Sequence, residues 1–299
     1  MSFSSDVKKE LNKNSNLSNK EIVKYELIGY LISGNIDLSN SKIIKFSTES
    51  DYNINRFAKL LSNLNIKYKI QVIGKSFIVE FKIKELPKVN DIEKIIEISE
   101  TTINIIDMDK LITEKEEYRK ALVRGTFMGG GSMNNPLNEY HLELGMKSTE
   151  NLEAVRKIIL KFNIETKVLE SQGKYFLYLK DGEEISNFLA LIGANKSVLL
   201  FEDIRIQKEM RGKVNRLVNC KAANLNKTIN ASVEQIYAIK KLKESGKFNK
   251  LDENLKEIAN LRLENPDMPL IELGKLLKNP IGKSGVNYRL KKIMEIANE

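Results

Sequence analysis

The sequence predicts an α+β domain with pseudo-twofold symmetry and antiparallel sheets, followed by an all-α C-terminal domain. Three observations carry this expectation. A glycine-bearing segment occurs twice, and each copy is followed by the same order of strand and helix patterns. The last third of the 299 residues holds only helical patterns and almost all of the net charge of +9.

Residues 1–20 read as an N-terminal helical arm. The first glycine segment is LIGYLISGN, Leu27 to Asn35, and the second is VRGTFMGGG, Val123 to Gly131. Aligned without gaps, Gly29 falls on Gly125 and Gly34 on Gly130. The second copy suggests a glycine-rich phosphate loop, but it fits neither G-x-x-x-x-G-K-[ST] nor G-x-G-x-x-G. Both segments read instead as buried helices, being apolar nearly all round. Thr113 with Glu116, and Ser18 with Glu21, resemble capping boxes ahead of them. Each glycine costs about 1 kcal/mol against alanine inside a helix. Gly29, Gly34, Gly125, Gly129 and Gly130 are therefore expected to mark a close helix crossing at a pseudo-twofold axis.

After the first glycine helix come an extended stretch IIKFST, a helix NRFAKLLSNLNI, and strands KYKIQVIG and SFIVEFKIK. In the last of these Phe77, Val79, Phe81 and Ile83 alternate with Ile78, Glu80, Lys82 and Lys84, which predicts one packed and one wet face. After the second come EYHLELGMK, a helix NLEAVRKIILKFNI, and strands ETKVLE and KYFLYLK. A further helix is expected near Val89–Ser99 in the first unit and near Glu183–Ile192 in the second. The two units span about 21–100 and 114–200 within a domain of 21–204. Lys45, Lys67, Lys69, Lys82 and Lys84 fall on the wet face, where ordinary surface lysines are the main reading and an accessory DNA or protein contact the other.

Residues 205–230 form a basic helical connector and 231–299 a helical domain. Ser232 and Gln235 resemble a capping box for SVEQIYAIKKLKES. Further helices are expected over Asp252–Glu264, from Pro269 to Leu277, and from a capping Ser284 onward. From Lys208 to Glu299 there are 19 Lys/Arg and 11 Asp/Glu, net +8, against 30 and 29 before it, net +1. That asymmetry points to a polyanionic partner, double-stranded DNA in particular. In the last helix Val286, Leu290, Ile293 and Ala297 make an apolar stripe. Asn287, Arg289, Lys291 and Lys292 lie off it, as a recognition helix requires. Lys283 and Ser284 sit at its start, where N–H groups favour phosphate. Arg289 could read guanine and Asn287 adenine, while Tyr288 could stack, donate a hydrogen bond or pack. Arg211, Lys213 and Arg216 could grip phosphates or only solubilise the connector.

One histidine, His141, and one cysteine, Cys220, leave no zinc ligand set and no disulfide. His141 reads as non-catalytic and Cys220 as structural, its basic neighbours being able to lower the thiol pKa. No metal, cofactor or small-molecule substrate is expected. With no run of 18 apolar residues and no secretory signal, the chain reads as cytoplasmic, without a membrane partner.

The paired glycine helices, each followed by this order of elements, resemble the LAGLIDADG homing endonuclease fold. In that family the residue before the last glycine-like position of each motif is an acidic metal ligand, and the matching positions here are Gly34 and Gly130. Asp37 has no acidic counterpart near Asn134. The resemblance thus implies a kept scaffold with lost nuclease chemistry. MSFSSDVKKEL, LVRGTFMGGGS, NRLVNCKAANLNKT, NPDMPLIELGKLL and PIGKSGVNYRLKKI further resemble the WhiA family of bacterial sporulation and cell-division regulators, across essentially the whole chain. Lys221 and Tyr288 depart from it, standing where an acidic residue and a histidine are expected. The family implies a degenerate endonuclease domain joined to a helix-turn-helix like the promoter-reading domain of sigma factors. It also implies roles in cell division, chromosome segregation and, in relatives, sporulation, on the nucleoid and with a sigma factor or other transcription or division protein as further partner. The rivals are an active LAGLIDADG nuclease or maturase and a protein-interaction scaffold.

Overall fold

A computed structural model describes residues 2–13, 17–89, 91–171 and 173–299. Residues 1 and 14–16 of the predicted arm, and Asn90 of the helix expected near Val89–Ser99, lie outside the described residues. The chain divides into two compact units, Met1–Lys208 and Glu209–Glu299.

The first unit opens with α1 (Phe3–Asn12) and then runs twice through one plan. Its first pass is α2 (Lys20–Ser33), β1 (Ile36–Asp37), β2 (Ile43–Thr48), α3 (Asp51–Asn63), β3 (Tyr68–Ile73) and β4 (Ser76–Lys82). Two 3-10 turns, β5 (Ile96–Ile98), β6 (Ile103–Ile105) and α4 (Met108–Thr113) lead to the second. That pass is α5 (Glu116–Gly130), β7 (Gly131–Met133), β8 (Leu142–Met146), α6 (Thr149–Leu160), β9 (Lys167–Ser171), β10 (Lys174–Leu179) and α7 (Gly182–Ile192). The sheets have orders β1-β2-β4-β3 and β7-β8-β10-β9, antiparallel throughout.

The repeat extends to single hydrogen bonds. Ser50 caps α3 by accepting from Asn53 N–H, and Ser148 caps α6 by accepting from Asn151 N–H. Both Asn53 and Asn151 are buried. After each helix an asparagine takes the left-handed conformation that its short side chain tolerates, Asn65 at φ 58° and Asn163 at φ 57°. Core-facing residues correspond as well: Ile44, Phe46, Val79 and Phe81 in one sheet, Leu142, Leu144, Leu177 and Leu179 in the other, are all buried.

α2 and α5 form the centre, and every side chain from Ile22 to Ile32 is buried. Tyr25 and Tyr118 stack across them with centroids 5.2 Å apart. A Cβ added at Gly29 would lie 2.2 Å from the Leu122 carbonyl oxygen, and one at Gly125 would lie 2.0 Å from that of Glu26. Gly129 and Gly130 likewise sit against Ser33. Gly34 differs, its neighbours being Tyr30 and Phe46 of its own repeat. Beside the crossing, the fully buried Glu26 accepts two hydrogen bonds from Arg56 of α3, at 2.7 and 2.9 Å, and one from Arg124 of α5, at 2.9 Å.

Several local expectations are overturned. No helix spans Val89–Ser99; the described residues there form a 3-10 turn, Ile92–Lys94, and then a hairpin pairing Ile96 with Ile105 and Ile98 with Ile103. Asn151 holds that hairpin from outside, accepting from Ile105 N–H and donating to the Ile103 carbonyl. Thr113 does not cap α5: its hydroxyl bonds back to Asp109 and Lys110 within α4. Asn19, not Ser18, caps α2.

α8 (Asn195–Glu244) is one continuous helix, so neither residue 204 nor residue 230 is a break in secondary structure. Its start belongs to the first unit, where the Glu10 carboxylate accepts from the N–H groups of Lys196 and Ser197, at 2.8 and 2.9 Å, and from the Ser197 hydroxyl. This ties α1 to a helix N-terminus, where negative charge is favoured. Glu10→Ala is expected to cost about 1–2 kcal/mol in urea unfolding of this unit, with Glu10→Gln between it and the parent. Equal midpoints for all three would exclude the tie.

The second unit packs the end of α8 with α9 (Glu253–Glu264), α10 (Leu270–Lys275) and α11 (Lys283–Asn298). Ala238, Ile239, Leu255, Ile258, Leu273, Val286, Leu290 and Ile293 share its core. Ser232 is no cap, because it lies inside α8 and its hydroxyl donates to the Pro266 carbonyl of the α9–α10 loop.

Candidate nucleic-acid interface

α9, α10 and α11 are held in place by polar groups as well as apolar ones. Arg262, fully buried, donates to the carbonyls of Met268, Asn265 and Pro266, which fixes the loop entering α10. Glu257 of α9 accepts from Lys278 N–H at 2.7 Å, just beyond α10. Gly274 admits the turn between α10 and α11: a Cβ there would stand 2.3 Å from the Ile281 carbonyl oxygen. Its own carbonyl accepts from Ile281 N–H at 3.1 Å. These three supports were not read from the sequence. Gly274 within ELGKLL, just before a turn, is the one signal that could have shown them.

α11 begins at Lys283 with Gly282 as its N-cap, so Ser284 lies within the first turn and is not the cap. The N–H groups of Gly285 and Val286 bond back to Gly282. Those of Lys283 and Ser284, at the exposed start, are left for solvent or an anion. Val286, Leu290, Ile293 and Ala297 are buried and set the angle of the helix. Lys283, Ser284, Asn287, Tyr288, Lys291 and Lys292 are exposed, Tyr288 by 67%. Of the alternatives for Tyr288, packing is thereby excluded within this chain. Arg289 is half-buried on the flank of the apolar stripe, so it reaches outward only along one side.

On α8 the side chains of Arg211, Lys213 and Arg216 are exposed. Lys213 pairs with Glu209 at 2.8 Å, so its charge is partly answered within its own helix. Cys220 is exposed rather than structural, with an Asn224 amide 3.7 Å from its sulfur.

In the first unit the positions of the two family metal ligands, Gly34 and Gly130, present no donor. They also have no room for one: a Cβ at Gly130 would lie 2.3 Å from the Ser33 oxygen and 2.6 Å from that of Gly145. At Gly34 the Tyr30 oxygen stands at 2.7 Å. Asp37 is exposed, and the Ser39 backbone N–H, the first of several favourable contacts, holds its carboxyl below the usual range. Glu143 accepts from Ser132 at 2.9 Å and lies 3.3 Å from His141, whose ring stacks on Tyr178. Among the described residues no three His, Cys, Asp or Glu side chains group to hold a metal. The donor set does not fit the two-carboxylate cation site of the nucleases.

Comparison with known proteins matches both halves of this architecture. Residues 119–211 match the model of the WhiA LAGLIDADG-like domain, and residues 214–297 that of the WhiA C-terminal HTH domain. The "Probable cell division protein WhiA" of Clostridium botulinum is 38% identical over 310 residues, covering 100% of this chain and 98% of the relative. The protein of the same name from Clostridium beijerinckii is 39% identical over 310 residues with the same coverage. The crystal structure of full-length DUF199/WhiA from Thermatoga maritima superposes with a TM-score of 0.60 at 30% identity, covering 100% of this chain and 98% of that one.

Proposed function

The chain belongs to the WhiA family, and from that premise we propose that it is a sequence-specific DNA-binding transcription regulator acting in cell division, with chromosome segregation as an allied process and sporulation in relatives. The observation that carries the reading is the division of α11 into a buried stripe and an exposed basic front that starts with two available N–H groups. Residues 231–299 act as the reading head and 205–230 as its link. Residues 21–204 act as a platform for a sigma factor or another transcription or division protein, with the protein residing on the nucleoid. Glycines too crowded to admit a carboxylate stand where the nucleases bind cations, so hydrolysis plays no part. No helix of the described residues is long and apolar enough to cross a membrane.

Ser284, Tyr288, Lys291 and Lys292 face the groove, Asn287 and Arg289 contact base edges from the two flanks, and Lys283 holds phosphate. Arg211, Lys213 and Arg216 add further phosphate contacts. Arg289→Ala is expected to weaken a specific promoter site by about 1–3 kcal/mol and relax preference at one position. Lys283→Ala is expected to weaken all sequences alike and reduce the salt slope by about 1. Mobility shifts on genomic fragments across a salt series measure both, and two variants that bind like the parent would refute the assignment. Supercoiled DNA with magnesium or manganese is expected to remain uncut.

A further inference from the structure

The two sheets occupy equivalent places in the repeat, so the outer face of one is an internal control for the other. Ile44 pairs with Phe81 as Leu142 pairs with Leu179, and Lys69 pairs with Glu80 as Lys167 pairs with Tyr178. Followed along the strands and one step past their ends, these registers give Lys45, Lys67, Lys69 and Lys82 the counterparts Glu143, Glu165, Lys167 and Lys180. Lys84, expected on the strand, lies instead in the 3-10 turn Ile83–Lys88 that follows β4, and its equivalent in sequence, Gly182, opens α7. The first face thus gathers five lysines against two strand carboxylates, Glu80 and, directly across from Lys45, Asp37. The second, with Lys174 on the same side of β10 as Tyr178, sets three lysines against Glu143 and Glu165.

The concentration of charge is local. Up to residue 207 the chain carries a net charge of only +1, so lysine-rich composition does not explain it. Among the described residues none of the five lysines takes part in an ion pair. Lys67, one residue before β3, continues the register to stand across from Lys82. Like charges in that relation destabilise a sheet unless an anion lies between them. Four of the lysines, Lys67, Lys69, Lys82 and Lys84, line a cleft of about 470 Å³ together with Tyr68 and the two carboxylates Glu80 and Glu85. That volume falls in the range of small-ligand sites.

We propose that this cleft binds a small molecule bearing a chain of phosphates, such as a nucleoside polyphosphate. A duplex laid across both sheets requires comparable positive charge on both, and the excess on the second face is smaller than on the first. The confined charge of the first face suits a short polyanion instead, and lysine ammonium groups bind phosphate as point charges without demanding one geometry. The site is independent of DNA binding through α11.

Titration calorimetry of the full chain with tripolyphosphate is expected to show one saturable site. K67Q/K69Q/K82Q is expected to weaken it by at least about tenfold, with a thermal midpoint no lower than the parent's, because all three side chains are exposed and the facing charges of Lys67 and Lys82 are removed. The equivalent change on the second sheet, K167Q/K180Q, and the α11 double variant K283A/R289A are both expected to bind tripolyphosphate like the parent. No saturable binding by the parent overturns the proposal, as does equal weakening by the two sheet variants. Loss in K283A/R289A moves the anion to α11 and also overturns it. If K67Q/K69Q/K82Q weakens short duplex DNA as much as tripolyphosphate, the face is a nucleic-acid track and the proposal fails.

Discussion

Gly125→Ala is expected to lower the unfolding free energy of the first unit by about 3 kcal/mol, at the upper end of overpacking costs. The new methyl carbon would start 2.0 Å from the Glu26 carbonyl oxygen, a backbone atom in the middle of α2. No rotamer change relieves that contact, so the two central helices must separate. Alanine's helix propensity returns only about 1 kcal/mol. Gly29→Ala makes the reciprocal contact, 2.2 Å from the Leu122 carbonyl oxygen. Once the helices have moved for one methyl, the second meets less resistance, so the double variant is expected to lose less than the sum of the singles. Gly212→Ala supplies the opposite sign. Its nearest neighbour is an Arg216 guanidinium nitrogen at 3.7 Å, and filling this helical glycine is expected to stabilise by up to about 1 kcal/mol. Urea unfolding followed by far-UV circular dichroism, with each unit's transition fitted separately, measures all four. A Gly125→Ala variant within 0.5 kcal/mol of the parent, inside the usual range of surface changes, would mean that the crossing is not close-packed.

The elements that could be read from the sequence are those whose pattern is local. IIKFST became β2 without a residue's difference, because alternate burial on one sheet leaves a period-2 trace. The stripe of α11 is written in the same way, at helical spacing. The segment IEKIIEIS failed because its isoleucines satisfy helical and extended patterns alike. What decides it is distant: Ile103 and Ile105 supply the partner strand, and Asn151 fastens that strand. The capping residues failed for a related reason. Thr113 and Ser232 have the right type and spacing, but their hydroxyls are engaged by α4 and by the Pro266 carbonyl. At the candidate interface the exposed residues of α11 could be read, whereas the half-burial of Arg289 depends on packing that periodicity alone does not convey.

Glu26 was missed altogether. In KEIVKYELIGYLIS it is one carboxylate inside an apolar helix, and nothing near it in sequence suggests a partner. Its partners lie 30 and 98 residues away, one on α3 of its own repeat and one on the opposing glycine helix. The cluster therefore joins the two repeats, and it also assigns a role to Arg124, the basic residue directly before Gly125. In the phosphate-loop reading that arginine would face a ligand. Here it faces a buried carboxylate.

Glu26→Gln is accordingly expected to cost about 3–5 kcal/mol, because it leaves the buried Arg56 and the nearly buried Arg124 without their counter-charge. Burial alone pushes the Glu26 carboxyl upward. The Arg124 charge and the Arg56 hydrogen bonds outweigh it and hold the group below its ordinary value of 4.5. A carboxyl whose pKa is lower in the folded than in the unfolded chain contributes stability above the unfolded value and loses it as pH falls below. The parent is thus expected to lose stability as pH falls from about 4.5 through the depressed folded value, and the Glu26→Gln variant is expected to lack that part of the acid dependence. Pairing it with Arg56→Met separates two explanations. If the cost comes from an unanswered charge, removing Arg56 as well recovers part of the loss, since an apolar replacement of a buried ion pair is often neutral. If the cost comes from altered packing at the crossing, the double variant is worse than either single. Urea unfolding at pH 7 and pH 4 on the three variants and the parent distinguishes these. A Glu26→Gln variant with the parent's stability at both pH values would remove the cluster from any account of how the repeats are joined.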